Sequence, residues 1–582
     1  MQSETKTCQN CNSDFIIEPN DFGFYEKVKV PPPTFCPRCR MQRRFTWRNN
    51  LSFYSRPCAL CNKSGITLYS PDSGITVYCN KCWFGDKWDP KSYAQDYDFS
   101  KPFFTQFLEL LKRVPQVATV NDDGIASLNC QWTHDCWFAK NCYMVFYSWQ
   151  IENIMYSTYM LYGAKDMMDC MYIMDKAEWL YECINCESSY RLKYAQLCIS
   201  CVDSSFMYDC RGCTNCFMCT GLRNEKYCFK NQRYTKEDYE KILAEYKLDT
   251  YAGTERAKKE FKEFLLSYPR RYAYIIQSKN CTGDLIFNGK DSKDVFSTQQ
   301  PENCRFMDGC AKPTNSYDLS TAGEMTECYD GVTVDHSQLN LFGIFSVKSQ
   351  ELHYTQHCHS SKNLFGCVSM KKGNYCILNK QYSKEDYFIM VEKIKKQMEE
   401  IPYIDKNGCK YSYGEFYPAE LSLFGYNETS AMEEFPLTKE QALARGFKWQ
   451  DNTQRTTGKE TLLPENIPDA ISDVGDDILE QVLKCIDCER NYKIVPNELI
   501  FYKKMNIPVP HRCFHCRHAA RIKRRNPFKL WHRQCMCQKE NHDHSGIPRQ
   551  GGASCPNEFE TSYAPERPEI IYCEQCYQKE VY

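Results

Sequence analysis

The chain of 582 residues lacks a long apolar run, a strong net charge and the common motifs of catalysis. It has no stretch of about 18 apolar residues, and its first residues have no apolar core typical of a signal peptide. The formal net charge is −1, so no overall electrostatic field selects a partner. HExxH, GxSxG and GxGxxG are absent. We therefore expect a cytoplasmic protein that does not bind membranes, and no motif indicates an enzyme.

Cysteine, by contrast, is abundant, with 38 residues. Aromatic residues make up 14% of the chain and the mean hydropathy is −0.62, which suits a folded, strand-rich protein. The length predicts several domains. Without an export signal, we expect reduced or metal-bound thiols, and a secreted disulfide-rich protein is the alternative.

Cysteines at the N-terminus recur at the C-terminus with the same intervals. Each copy starts with two CxxC pairs, and a further CxxC-like set follows. The first copy is Cys8, Cys11, Cys36, Cys39, Cys58, Cys61, Cys79 and Cys82; the second is Cys485, Cys488, Cys513, Cys516, Cys535, Cys555, Cys573 and Cys576. Two CxxC turns can complete a tetrahedral shell of four thiolates around Zn²⁺. We predict about four structural Zn²⁺ ions, in a treble-clef finger followed by a zinc ribbon at each terminus, with sequential or cross-braced ligand pairing.

An insertion separates the first two ligands of the last ribbon. It carries Cys537, His542 and His544, so Cys537 could replace Cys535 as a ligand. Outside the cysteines, the two copies also share aromatic residues, including Phe24 with Phe501 and Tyr25 with Tyr502.

Both terminal copies carry a basic segment without a single acidic residue. Several arginines fall at helical spacing and aromatic residues lie between them, a pattern that suits a phosphate backbone and unpaired bases. A solvated helix face explains the same pattern. The candidate nucleic-acid-binding residues are Arg40, Arg43, Arg44, Arg48, Arg517, Arg521, Lys523, Arg524, Arg525 and Arg533.

The middle of the chain contains a repeat. Cys183, Cys198, Cys213 and Cys228 follow one another with a constant period of 15, and a second array keeps this period from Gly331 to Cys376. A short fixed period predicts stacked coils, a β-solenoid with 15-residue coils. Because the second array has glycine and serine at the matching places, we favour core thiols for the repeat cysteines, with zinc or iron–sulfur ligands as the alternative.

Each array ends before a helix signal, Thr235 with Asp238 and Ser383 with Asp386, which predicts a capping helix over the open end. A small cluster, His353, His357, Cys358 and His359, fits a solvent-facing or capped pair better than a metal site.

The predicted fold is therefore multidomain and mainly β, with metal modules at both termini and two solenoid arrays between them. The predicted boundaries are 1–95 for the first zinc module, 96–120 for an amphipathic helix linker, 121–234 for array 1, 235–275 for a helical cap, 276–382 for array 2, 383–480 for a second cap and linker, and 481–582 for the second zinc module.

Several segments resemble a known family. PPPTFCPRCRMQRRFTWRN, SPDSGITVYCNKCWFGDKWDP, NKQYSKEDY, FGYNETSAMEEFPLTKEQALARGFKW and CPNEFETSYAPERPEIIYCEQC are similar to segments of large uncharacterised zinc-ribbon proteins of candidate phyla radiation bacteria. The resemblance covers essentially the whole chain. It implies a cytoplasmic bacterial protein with zinc-binding domains, and it implies no activity or substrate.

These observations lead to one hypothesis and two alternatives. The hypothesis is a non-enzymatic zinc protein that binds RNA or DNA through its basic modules on a solenoid scaffold. The first alternative is a protein–protein scaffold whose zinc sites are purely structural. The second is a carbohydrate-binding or carbohydrate-active solenoid, which requires paired carboxylates in a groove.

Overall fold

The computed structural model describes residues 2–50, 52–121, 126–453, 455–539 and 555–581. The chain divides into two compact units, each made of segments distant in sequence. Unit 1 comprises Met1–Val120, Ala273–Thr453 and Pro527–Leu530, and unit 2 comprises Asn121–Tyr272, Gln454–Asn526 and Trp531–Tyr582. Each unit therefore combines one terminal cysteine region with the repeat array that lies farther from it in sequence.

Unit 1 is a mixed unit dominated by one sheet. Its helices are Pro19–Lys27, Pro37–Phe45, Asn80–Phe84, Phe103–Arg113, Lys384–Glu400, Ala431–Glu434 and Lys439–Ala444. Its strands are Glu4–Thr7, Asp14–Ile17, Tyr54–Pro57, Ser64–Thr67, Val77–Tyr78, Gln116–Val117, Ile275–Ile276, Gly283–Phe287, Lys293–Gln299, Arg305–Asp308, Tyr317–Ser320, Tyr329–Asp335, Gln338–Val347, Gln350–Gln356, Lys362–Phe365, Asn374–Ile377, Lys380–Gln381, Tyr403–Ile404 and Lys410–Tyr411.

Unit 2 has the same kinds of parts. Its helices are Lys236–Tyr246, Tyr251–Leu266, Pro496–Met505, Phe514–Arg524 and Glu574–Val581. Its strands are His134–Lys140, Phe146–Met155, Thr158–Met160, Lys165–Met168, Met171–Ile173, Ser205–Tyr208, Phe217–Thr220, Cys228–Phe229, Gln232–Arg233, Arg270–Arg271, Leu483–Lys484, Asn491–Tyr492, Trp531–Gln534, Glu558–Thr561 and Ile571–Tyr572. Across the described residues, no helix combines the length and the apolar character needed to cross a membrane.

Each unit is built on a parallel stack of short strands. The second stack (residues 275–382) is an 11-stranded sheet in sequence order, parallel except for its last strand. From Gly283 to Ile377 each strand pairs with the next at a constant register of 12, as in Tyr317 opposite Tyr329. The first stack (residues 126–234) pairs mostly through isolated parallel bridges with registers of 12 or 13, such as Gln196 opposite Tyr208.

The backbone of both stacks repeats every three residues. In the first stack, Leu197, Ser200, Asp203 and Phe206 all have positive φ. The residue that follows each of them points into the core, so the buried positions are Cys198, Cys201, Ser204, Met207, Cys210, Cys213, Cys216 and Cys219. A left-handed conformation costs about 1–2 kcal/mol for a non-glycine residue, and the continuous ladder of backbone hydrogen bonds offsets this cost.

The predicted coil length of 15 is wrong, since the register within the stacks is 12 or 13. Cys183 lies beside Ala195 in the next layer, and Cys198 is the next inward position along the chain. A spacing of 15 is thus one register step plus one three-residue step. This spacing of 15 was visible in the sequence because cysteine occupies most of the inward positions.

The helices predicted after each array are present. Thr235 Oγ1 accepts a hydrogen bond from the N–H of Asp238, and Ser383 Oγ accepts one from the N–H of Asp386. These helices pack on the last layers through equivalent tyrosine pairs, Tyr227 with Tyr239 and Tyr375 with Tyr387. Each stack therefore has a covered C-terminal end in its own unit.

Candidate metal centres

Four groups of four thiols are the groups among the described residues that could hold a metal ion. Within each group the sulfur atoms all lie within 4.8 Å of one another. Cluster A is Cys8, Cys11, Cys36 and Cys39; cluster B is Cys58, Cys61, Cys79 and Cys82; cluster C is Cys485, Cys488, Cys513 and Cys516; cluster D is Cys535, Cys555, Cys573 and Cys576. The sequence prediction of sixteen ligands in four sets is confirmed as four thiol clusters able to bind metal.

Individual sulfur distances fit a shared ion. The Sγ atoms of Cys11 and Cys36, and those of Cys488 and Cys513, lie 3.7 Å apart, and those of Cys61 and Cys79 lie 3.9 Å apart. A tetrahedron with metal–sulfur bonds of about 2.3 Å has sulfur–sulfur edges of about 3.8 Å. A disulfide requires about 2.05 Å. The distances therefore favour metal coordination and pair the CxxC turns sequentially.

Local structure aims polar groups at each cluster. In the first three clusters the third cysteine is the residue before a helix: Cys36 precedes Pro37–Phe45, Cys79 precedes Asn80–Phe84 and Cys513 precedes Phe514–Arg524. The positive end of each helix thus faces the thiolates. The backbone N–H of that cysteine also donates to the first ligand, for example Cys36 N–H to Cys8 Sγ at 3.2 Å.

Hydrogen bonds favour the thiolate form of the first cysteine in clusters B and C, whereas the pKa of the cysteines in the second CxxC turn of these clusters is raised. The pKa of Cys58 is lowered to about 6: burial opposes the shift, but backbone N–H donors that include Cys79 and Leu60 outweigh it. Bonds from Cys513 and nearby backbone N–H groups lower the pKa of Cys485 to about 4, again against burial. Thiolates are the form that binds a metal ion.

The ligand that sequence analysis left open in the last set is assigned. Cys535 belongs to cluster D, and its Sγ accepts a hydrogen bond from the N–H of Cys573 at 3.2 Å. Cys537 is buried and its carbonyl accepts the N–H of Cys555, but its thiol is not one of the four. His542 and His544 lie outside the described residues.

The cysteines of the stacks are not part of any cluster of this kind in the described chain. All of them except Cys130 and Cys281 are buried, and their thiols donate to backbone carbonyls, as Cys201 Sγ does to Cys210 O at 3.4 Å. In the second stack, serine takes the same position: Ser349 Oγ donates to Val347 O at 2.9 Å and accepts the N–H of Ser361. None of the 38 cysteines, all of which are described, forms a disulfide.

The arginines of the first basic segment are buried in ion pairs. Arg40 is 1% exposed and makes a bidentate contact with Asp318, with both nitrogen–oxygen distances at 2.9 Å. Arg44 is 0% exposed, and its Nη1 lies 3.0 Å from both Asp318 and Asp330. Arg43 Nη2 lies 3.1 Å from Glu415 and 3.4 Å from Asp330.

Unit 2 contains the same arrangement with the equivalent arginines. Arg517 Nε donates to Asp169 Oδ2 at 2.9 Å, and Arg521 Nη1 donates to Asp169 Oδ1 at 2.7 Å. Arg521 Nη2 also donates to the carbonyl of Tyr156, one layer before Asp169, at 3.2 Å. In unit 1, Arg44 Nη2 donates in the same way to the carbonyl of Phe306, one layer before Asp318.

The structure does not support a nucleic-acid interface formed by this residue set. Five of its members face acids from a buried position, and Arg48 and Arg525 are also buried, so these side chains offer no charge to a phosphate backbone. Arg524 is half-buried beside Glu182, and Arg533 donates to the carbonyl of Ala564. Lys523 alone in the set is exposed. The predicted basic faces are instead the faces that dock on the stacks.

The residues shared between the two copies lie at these docking faces. Phe24 stacks on Tyr317 with a centroid distance of 3.9 Å, and Phe501 stacks on Trp179 at 5.8 Å. Arg40 and Arg517 also donate to equivalent carbonyls of their own modules. The presence of the same residues in both terminal copies indicated a common packing surface. It could not indicate their acidic partners, because those partners lie in the repeat arrays.

Asp330 has an unusual environment. Burial raises its pKa to about 6, although Arg44 and Arg43 act in the opposite direction. The charged form of the Asp330 carboxylate is thus favoured chiefly by Arg44 and Arg43.

The three histidines predicted as a cluster each contact a different neighbour. His353 Nδ1 lies 3.1 Å from Tyr413 Oη, His357 stacks on Phe345, and His359 packs edge-on against Trp83. Of the two predicted alternatives, a solvent-facing or a capped pair, the solvent-facing one is wrong for His357, which is 2% exposed; its Nε2 lies 3.4 Å from Tyr69 Oη, as in a capped side chain. Burial lowers the pKa of His353 and His357 to about 3 and that of His359 to about 4, so all three are neutral at pH 7.

Comparisons with known proteins add little to this picture. No protein-family model and no curated protein matches the chain. One solved structure that matches is titled a "putative acetyltransferase" from Desulfovibrio desulfuricans G20; it is 9% identical, with a TM-score of 0.11, and the match covers 50% of this chain and 86% of that one. At this TM-score the likeness supports no conclusion about fold or function.

Proposed function

We propose that the protein is a non-enzymatic scaffold in which four Zn²⁺ ions hold two pairs of small modules, each pair docked on a β-solenoid. The clusters at A and C correspond to treble-clef fingers and those at B and D to zinc ribbons. The observation that supports the proposal is a set of buried ion pairs that occurs in both units. Arginines of the cysteine modules pair with aspartates of the stacks: Arg40 and Arg44 with Asp318, and Arg517 and Arg521 with Asp169.

Zinc fits the four clusters for chemical reasons. Four thiolates at tetrahedral spacing are a preferred shell for Zn²⁺, which needs no redox chemistry. A shell of four protein ligands leaves no open position for water or substrate. The ions would therefore act in folding, since modules this small have little apolar core of their own.

The metal and the docking face share one helix in each finger. Helix Pro37–Phe45 begins at the ligand Cys36, contains the ligand Cys39 and presents Arg40 and Arg44 to the second stack. Loss of the ion would release the start of this helix. The orientation of Arg40 and Arg44 would then no longer be fixed. We therefore infer that metal binding is coupled to docking.

A scaffold is favoured over the other two hypotheses. The nucleic-acid hypothesis depended on exposed arginines, and these are mostly buried. The carbohydrate hypothesis depended on paired carboxylates in a groove, whereas the acid pairs Asp318 with Asp330 and Asp169 with Glu182 are covered by arginines. Partner proteins are therefore the class of ligand that we propose for these metal-held modules.

The experiment measures metal and partners in the same preparation. Elemental analysis of the purified chain should give about four zinc ions, and Cys36→Ser should remove one of them. Pull-downs from the native host, with and without nuclease, should recover the same proteins. Absence of zinc would refute the metal part of the proposal, and recovery that disappears after nuclease treatment would refute the scaffold part.

A further inference from the structure

The two docking interfaces share one set of contacts. These shared contacts do not distinguish one interface from the other. Arg40 and Arg517 contact equivalent aspartates, and Arg44 and Arg521 contact the same aspartates and the carbonyl one layer before. Both stacks therefore offer the same site to either finger. Some other contact has to assign each finger to its stack.

The positions that differ between the fingers provide that contact. The residue of the second finger equivalent to Arg43 is Ala520, and the residue of the first finger equivalent to Arg524 is Trp47. Arg43 is 4% exposed and binds Glu415 and Asp330. Arg524 Nη1 lies 3.4 Å from Glu182 Oε2 and 3.3 Å from the carbonyl of Glu182.

We propose that Arg43 with Glu415 and Arg524 with Glu182 are selector pairs that restrict each finger to one stack. This inference rests on the proposed docking of metal-held fingers. The partner that each selector recognises is a buried carboxylate, at the edge of an interface whose centre is common to both units.

Exchange of the fingers would leave charges buried without partners. The second finger on the second stack would place Ala520 opposite Glu415, a carboxylate that is 5% exposed. The N–H and the hydroxyl of Thr34 also donate to Glu415, and the equivalent His511 would supply the N–H but not the hydroxyl. The first finger on the first stack would bring Arg43 to a site without Glu415. It would also bring Trp47 to Glu182, which would lose its contact with Arg524 and keep only the longer contact of 3.8 Å that Arg521 makes and that Arg44 would replace. An uncompensated buried charge is strongly destabilising.

The test moves one selector within the full-length, zinc-loaded chain. The variant Arg43→Ala with Ala520→Arg keeps all four common arginines. Hydrogen exchange followed by mass spectrometry should become at least about tenfold faster in residues 305–330 and in residues 156–182. Arg524→Trp should affect residues 156–182 alone. Unchanged protection in these variants would overturn the inference.

A matched control and a rescue distinguish selection from packing. Lys27→Ala removes an exposed ion pair with Glu327 across the same interface, and it should change exchange by no more than about fivefold. Glu415→Gln added to Arg43→Ala should restore most of the protection, because no carboxylate is then left unpaired. Absence of rescue would assign the loss to packing and reject the selector role.

The same samples separate this inference from the proposed function. Zinc content should stay at about four ions in every selector variant. If chelation of zinc in the wild-type chain leaves residues 305–330 protected, metal-dependent docking fails while the selector pairs stand. If chelation removes the protection but selector variants do not, the selectors fail alone.

Discussion

Asp169 should be one of the most sensitive residues of unit 2. It is 0% exposed, and its two carboxylate oxygens accept from Arg517 at 2.9 Å and from Arg521 at 2.7 Å. Asp169→Asn removes the charge while asparagine tolerates the positive φ of this position. Two guanidinium groups then stay buried without their main counter-charge, because the other carboxylates lie farther away, at 3.6 Å from Arg517 and 3.8 Å from Arg521.

The expected loss follows from the burial of the pair. Removing one partner from a buried ion pair costs about 3–5 kcal/mol, whereas an exposed pair contributes about 0–1 kcal/mol. Asp203→Asn is the matched control, since Asp203 lies in the same stack, also has positive φ, and pairs with the exposed Arg191. Its variant should lose less than about 1 kcal/mol.

The assay has to resolve the two units, because a chain with two units need not unfold in one step. A urea titration read by limited proteolysis and mass spectrometry reports the midpoint for peptides of each unit separately. The midpoint of unit 2 should fall for Asp169→Asn and stay nearly constant for Asp203→Asn. Equal shifts of the urea midpoint for the two variants would show that the buried ion pairs of Arg517 and Arg521 with Asp169 do not determine the stability of unit 2.

Three further predictions concern the metal, the pH and the core. During timed chelation, cluster B should lose its ion first, since Cys61 is exposed and Cys79 and Cys82 are half-exposed. Cluster D, with four buried thiols, should lose its ion last. Differential alkylation of the cysteines gives the order of loss, and the reverse order would contradict the prediction. His357 has a pKa lowered by burial to about 3, so below about pH 6.5 the unfolded chain gains a proton that the folded chain does not, and unit 1 should lose about 1.4 kcal/mol per pH unit from this residue as the pH falls. The stability of His357→Phe should show a shallower pH dependence by one proton, and an unchanged slope would refute the assignment. Cys213→Ser should cost less than about 1.5 kcal/mol and Cys213→Leu about 1–3 kcal/mol, measured by urea unfolding, because serine fills the same inward position in the sister stack.

The terminal clusters could be predicted from sequence because the ligands are local. Cys8 and Cys11 lie in one turn, and the thiol geometry of a CxxC pair depends on few other residues. The helix caps at Thr235 and Ser383 were predictable for the same reason, since a cap is satisfied by a residue three positions away.

The role of the arginines depended on residues far away in the chain. Arg44 meets Asp318 across 274 positions, and nothing near either residue in the sequence indicates the other. A basic, acid-free helix has the same composition whether its charges face solvent or a buried row of aspartates. The period of the repeat was mispredicted for a different reason. Its inward positions follow a step of three, and cysteine at many of them fits a period of 15 as readily as the observed register of 12 or 13.

The order of the parts along the chain has a consequence for biosynthesis. Asp169 leaves the ribosome long before the arginines that neutralise it, because Arg517 and Arg521 lie near the C-terminus. Arg40 of the N-terminal cysteine region is made early, yet its acceptor Asp318 is made only after the whole first array. Neither unit can therefore close its interface during early translation, and a nascent chain carries uncovered charged faces until most of its length has been synthesised.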